Sequence, residues 1–200
     1  MKAVTLLTAL AFVLVAEPAA AQFSAARPAP KTWITGWVGG HISPGRVFDP
    51  GSNSVWDFGS SFAGGVGVHR QVGSALSIGV DASFAPSPYH RLGGENDLIE
   101  KGTARVVTAM ATGRLRYGGA DAFGMYLTGG VGTMVFGMPS LDRWDPDLAL
   151  LTGAGLEYRP SRRNALFVEW GRYWTFHQRE GVEDNSSKFS QIRAGMRIGF

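Results

Sequence analysis

The sequence predicts an all-β chain, an eight-stranded antiparallel up-and-down transmembrane β-barrel, and three observations carry that reading. Apolar residues alternate with polar residues or glycine through eight separate runs. The seven connections between those runs alternate long and short. Beyond the N-terminal leader no segment is a long apolar helix candidate, although 44% of the chain is hydrophobic and 28 residues are glycine. A chain with much apolar surface and no spanning helix crosses a bilayer only as a closed barrel, because hydrocarbon offers unpaired backbone groups no partner.

The leader comes first in the chain. Lys2, the apolar run 3–16, the Glu17-Pro18 break and Ala19-Ala20-Ala21 before Gln22 have the layout of a secretory signal. Residues 1–21 are therefore expected to be an export signal, 22–31 with Pro28 and Pro30 an extended lead-in, and 32–200 the barrel domain. The apolar run is too short to span a bilayer as a helix. With no cysteine, the chain uses no disulfide and cannot be acylated on an N-terminal cysteine. Lys2 and Glu17 cancel, so the mature chain keeps the net charge of +3. That suits anionic headgroups and excludes the clustered basic stripe of a nucleic-acid binder.

The terminal run, 189–200, alternates throughout, and the third run, 75–85, is the cleanest of the eight. Ile192, Ala194, Met196, Ile198 and Phe200 fall on one face, and Gln191, Arg193, Gly195, Arg197 and Gly199 on the other. The first run, 33–41, has an ambiguous facing, since Trp33, Thr35 and Trp37 compete with Ile34, Gly36 and Val38. The second, 56–69, sets Phe58, Phe62, Val66 and Val68 against Asp57, Ser61, Gly65 and Gly67. In the third, 75–85, Leu76, Ile78, Val80, Ala82 and Phe84 alternate with Ser77, Gly79, Asp81 and Ser83. Runs 103–117, 123–136, 148–159 and 165–176 follow the same rule. Leu115-Arg116-Tyr117 and Leu156-Glu157-Tyr158 end two of them alike, as if one hairpin unit were repeated.

Long connections are expected at 42–55, 86–102, 137–147 and 177–188, with short ones at 70–74, 118–122 and 160–164. An up-and-down barrel puts every second connection on one side, and outer-membrane barrels have short inner turns and long outer loops. Aromatic girdles should then mark both rims. Tyr117, Tyr158 and Phe200 lie at the short-turn ends; Trp56, Phe84 and Trp170 lie toward the long-loop ends.

A lumen of eight strands is just wide enough for side chains to fill. Inward Asp81, Arg114, Arg116, Glu157, Glu169, Arg193 and Arg197 carry both signs, and inward glycines leave them room. The expected arrangement is an ion-pair network plugging the bore, with Glu169 nearest Arg193 or Arg197. Its rival is a charge-lined ion path.

Chemistry-bearing patterns are sparse. His41, His69, His90 and His177 fall at strand ends or in predicted connections without metal-ligand spacing, so no metal or other cofactor is expected. Gly-Gly-Val-Gly at 64–67 and 129–132 lies inside strands and lacks the Lys-Ser/Thr and helix of a phosphate loop.

Taken whole, the leader, the eight runs, the loop rhythm and the ending Met196-Arg197-Ile198-Gly199-Phe200 resemble the small eight-stranded bacterial outer-membrane β-barrels, the OmpA-like and OmpX-like superfamily. The resemblance implies location in the outer membrane, a monomer, and contact with outer-membrane lipid and lipopolysaccharide. It also implies periplasmic chaperones and the barrel-assembly machinery as biogenesis partners, the latter reading Met196, Ile198 and Phe200. A structural or interaction role through long outer loops is expected, with Trp144 and the acidic stretch 180–184 as contact surfaces. Three alternatives stand beside it: a narrow porin-like channel, an exported lipocalin-like binding barrel, and a lipid A-modifying enzyme. Lipid A 3-O-deacylases place a nucleophilic Ser two residues after a His, whereas His177 here is followed by Gln178 and Arg179. His41, Ser43 and Asp49 could imitate an acyltransferase site but lack specific spacing.

Overall fold

The computed structural model describes residues 30–43, 46–49, 54–93, 97–117, 122–138, 143–176 and 186–200; the expected export signal lies outside them. In chain order the strands are β1 (Thr32–Ile42), β2 (Arg46–Asp49), β3 (Ser54–Phe58), β4 (Ser61–Gln71), β5 (Leu76–Leu92), β6 (Leu98–Tyr117), β7 (Phe123–Met138), β8 (Arg143–Tyr158), β9 (Asn164–Phe176) and β10 (Ser186–Gly199). Eight of them, β1 and β4 to β10, form an antiparallel ring that closes where β1 pairs with β10. That seam runs from Trp33 opposite Gly199 to Ile42 opposite Ser190. Backbone bonds lock it below: Phe200 N–H donates to the Thr32 carbonyl at 2.8 Å, and Lys31 N–H to the Phe200 carbonyl at 3.1 Å. Closure pairs every strand of the ring on both sides, which a hydrocarbon surround requires.

Facing follows the two-residue period. Ile34, Val38, Val66, Val80, Leu127, Leu156, Val168, Ile192 and Ile198 are exposed on the outer wall, while Asp81, Arg114, Glu157, Glu169, Arg193 and Arg197 are buried inside. A lipocalin-like barrel would turn those apolar residues inward, so that alternative does not describe this chain.

In β1 the facing that alternation left open is decided by the neighbours. Trp37 lies opposite Gly195 of β10 and Gly65 of β4, and a Cβ at either glycine would collide with the tryptophan. Two flanking glycines make a slot for one inward indole. Trp33, Thr35, Trp37 and His41 therefore point in.

The second expected run is broken. Phe58 lies opposite Tyr89 of β5 but Gly64 lies opposite Phe84, so this side spends six steps where β5 spends five. The extra residue is a bulge at Gly59-Ser60, pinned by Gly59 N–H donating to the Pro88 carbonyl at 2.8 Å and Ser87 Oγ to the Gly59 carbonyl at 2.9 Å. A one-residue offset moves the side chains beyond it to the opposite face. Phe62 stays outside, while Trp56 and Phe58 turn into the lumen.

Residues 86–102, which the sequence predicts as a loop, are mostly strand: β5 and β6 stay paired to Leu92 opposite Leu98. Pro86 and Pro88 are tolerated because of where their missing N–H falls. The Pro88 carbonyl faces Gly59, and a strand residue's N and O share one edge, so the β5–β6 ladder loses no bond there. Residues 143–147 likewise belong to β8 rather than to a loop, which puts Trp144 on a strand. β2 pairs with β3, adding a hairpin to the long-loop end.

Candidate functional site: the charged lumen and its apolar outer half

Charge collects in the half of the lumen near the short turns. Arg193 and Glu169 are directly opposed in the β9–β10 ladder, and Arg193 Nε donates to Glu169 Oε1 at 3.0 Å, with Nη2 on the same oxygen. Tyr126 OH donates to Glu169 Oε2 at 2.7 Å. Arg197 Nη1 donates to Glu157 Oε2, and its guanidinium carbon lies 4.5 Å from the Tyr126 ring centre and 4.4 Å from that of Phe167. Glu157 also receives Arg159 Nε at 2.5 Å and pairs with Arg116 Nε at 3.3 Å. Both of its oxygens are thus engaged by guanidinium donors.

A second knot joins β4, β5 and β6. Thr112 Oγ1 donates to Asp81 Oδ2 at 2.8 Å, and Arg114 Nη2 reaches both Asp81 oxygens at 3.3 Å. His69 Nε2 lies 3.1 Å from Asp81 Oδ2 and 2.9 Å from Thr112 Oγ1, while Arg114 Nη1 lies 3.0 Å from His69 Nδ1. Hydroxyl, imidazole and carboxylate together invite a nucleophile reading, but the proton inventory opposes it. Arg donates only, so Nδ1 carries the lone pair and Nε2 the proton. The nitrogen beside Thr112 therefore has no lone pair to take the hydroxyl proton, and the knot is a structural clasp.

The outer half of the lumen is mainly aromatic and aliphatic, with His41, Thr108, Asp147 and Gln191 also buried there. Val106, Met110, Met134, Phe136, Leu151, Tyr173 and Phe189 pack into one cluster. Phe136 packs tilted against Phe189 at 5.5 Å, Phe189 stacks on His41 at 5.3 Å, and Phe58, 6.4 Å from Phe136, joins the cluster to Trp56 and Tyr89. Tyr89 OH donates to Glu100 Oε1 at 2.6 Å and Arg91 lies over the Trp56 ring at 5.3 Å, so the polar ends of this layer are held as well.

The seven predicted interior residues all line the lumen, in two linked groups: Asp81 with Arg114, and Glu157 and Glu169 with Arg116, Arg193 and Arg197. Met196, Ile198 and Phe200 are exposed on the outer wall. Among the girdle residues, Tyr117 and Phe84 are exposed outside, and Tyr158 packs on Phe123 at 4.6 Å near the short turns. Two placements are corrected. Trp56 is inside, turned by the bulge, and Trp170 faces out but midway along β9, between Ala154 and Ile192, away from the rim. Phe62 and Phe176 instead supply exposed aromatics toward the long-loop end. His41 and His69, expected at boundaries, are buried lumen residues; His177 and the stretch 180–184 lie outside the described residues. Among the described residues no three His, Cys, Asp or Glu side chains cluster to hold a metal ion.

Glycines set how closely this network packs. A Cβ at Gly155 would fall on the Tyr126 ring, and one at Gly67 on the Asp81 carboxylate. Gly155→Ala should therefore push Tyr126 off Glu169 and cost about 1–3 kcal/mol, the usual range for overpacking. Urea unfolding in detergent micelles checks this, and an unchanged midpoint would contradict the packing described.

No protein-family model and no curated protein sequence matches the chain. Solved structures do. Neisserial surface protein A superposes with a TM-score of 0.60 at 12% identity, covering 87% of this chain and 100% of that one. The outer membrane protein OprG from Pseudomonas aeruginosa superposes with a TM-score of 0.58 at 11% identity, covering 86% and 97%. The chain thus has the fold of the small eight-stranded outer-membrane β-barrels.

Proposed function

We propose that the chain is an integral protein of the bacterial outer membrane, exported by a cleaved signal, that acts by contact through its outer strands and loops rather than by catalysis or conduction. The observation that carries this reading is the filled lumen: ion pairs in one half, and in the other mainly aromatic and aliphatic packing with a few buried polar groups. The exposed apolar wall supports residence in lipid, where it meets acyl chains and lipopolysaccharide. Met196, Ile198 and Phe200 lie on that wall, where assembly machinery could read them. The nucleophile-like group of Thr112, His69 and Asp81 holds its imidazole proton on the wrong nitrogen for acyl transfer, which favours contact over enzymology. Fractionation should place the protein in the outer membrane, as a monomer after mild extraction, and lipid A mass should be unchanged by its expression. In planar bilayers the purified protein should give no sustained conductance; reproducible steps would sink the closed-lumen reading.

A further inference from the structure

We propose that the short-turn mouth of the lumen is a binding site for a small inorganic anion of halide size, held among Arg114, Arg116 and Arg197. These three arginines line one cavity of about 30 Å³, together with His69, Ser77 and Trp33. That volume holds one or two water-sized bodies and is too tight for a bulky organic anion. Charge is unbalanced around it. Among the described residues, Asp81, Glu157 and Glu169 face the guanidiniums of Arg114, Arg116, Arg159, Arg193 and Arg197. His69 adds no acid, and its Nδ1 already accepts from Arg114.

Hydrogen bonding is unbalanced in the same sense. Each of the three carboxylates is engaged by more than one donor. By contrast the buried Nε of Arg114 and the Nε of Arg197 have no hydrogen-bond partner among the described residues, and Arg197 Nη2 has only a long ion-pair contact, 4.0 Å from Glu169 Oε2. What remains in this half of the lumen is donor capacity and positive charge in a low-dielectric setting, and an anion satisfies both at once. The site is a dead end under the apolar half, so occupancy needs access from the short-turn side alone and no conduction through the barrel.

The test uses the purified full chain in detergent and two readouts, the chloride NMR linewidth and thermal unfolding in sodium chloride or bromide against sodium gluconate of equal ionic strength. Saturable chloride broadening, displaced by bromide, and a higher melting temperature in halide are expected. Ser77 lies directly across the ladder from Arg114, so Ser77→Glu puts a carboxylate in the mouth and should abolish both effects in a folded barrel. Arg116→Gln should raise the apparent dissociation constant roughly tenfold, one charge-assisted bond's worth. Absence of saturable broadening in the parent protein overturns the proposal. So do halide effects equal in the parent and Arg116→Gln, which decides the question even if Ser77→Glu fails to fold. Because both readouts are taken without a membrane, their failure leaves the closed-lumen reading standing, and a conducting barrel would leave this site standing.

Discussion

Replacing Glu169 by alanine is expected to destabilise the barrel by about 3–5 kcal/mol, the largest effect of any single change in the lumen. Glu169 is fully buried and accepts from Arg193 and Tyr126, with Arg197 Nη2 at 4.0 Å. Deleting its carboxylate removes the one direct ion-pair partner Arg193 has among the described residues and leaves the guanidinium with the Trp37 ring, 5.1 Å from its carbon, and the weaker attraction of Asp81. Cation–π attraction of about 1–2 kcal/mol offsets only part of that cost. Glu169→Gln keeps the shape and an acceptor for Tyr126 but not the charge, so its loss should be smaller. The paired change Glu169→Leu with Arg193→Met should recover much of the stability, because a buried ion pair replaced by apolar groups of similar volume is near neutral. Urea titration of the detergent-solubilised protein measures all three. Equal midpoints for Glu169→Ala and the parent would mean that water, not protein, surrounds Arg193.

Much of this network was legible because inward residues keep one parity along each strand. Glu169 and Arg193 each sit between apolar outward neighbours in alternating runs, and their cross-strand register is that of the β9–β10 pair. The same parity could have revealed the apolar half, since Phe189 shares its face with Gln191, Arg193 and Arg197, and Met110 with Thr112 and Arg114. Other features were hidden for physical reasons. Phe58 and Phe62 have the same parity, and only the β5 partner shows the extra residue between them. Trp37 and Val38 are both credible lipid-facing residues until Gly65 and Gly195 are set beside them. Ala85-Pro86-Ser87-Pro88 looks like a loop because proline breaks ladders, and its sequence does not say which edge of the strand the missing donors face.

Facing carries the second large prediction. Val80 is 61% exposed on the outer wall of β5, paired with Val68 on one side and Ala111 on the other. Val80→Arg puts a guanidinium into the apolar belt and should cost roughly 2–4 kcal/mol, whereas Leu76→Arg, at the short-turn end of the same face, should cost about 0–1 kcal/mol. The contrast comes from depth alone, because both side chains point outward and the arginine at Leu76 can reach the headgroups. Thr112→Arg, on the inward face, should also destabilise the barrel, because Thr112 is buried and bonded to Asp81 and His69 and the longer side chain would break that clasp. Folding yield into lipid vesicles, read as the heat-modifiable gel shift, and urea midpoints both report the cost. A Val80→Arg barrel as stable as the Leu76→Arg barrel would mean that the outer face of β5 does not lie in hydrocarbon, and residence in the membrane would have to be argued from another wall.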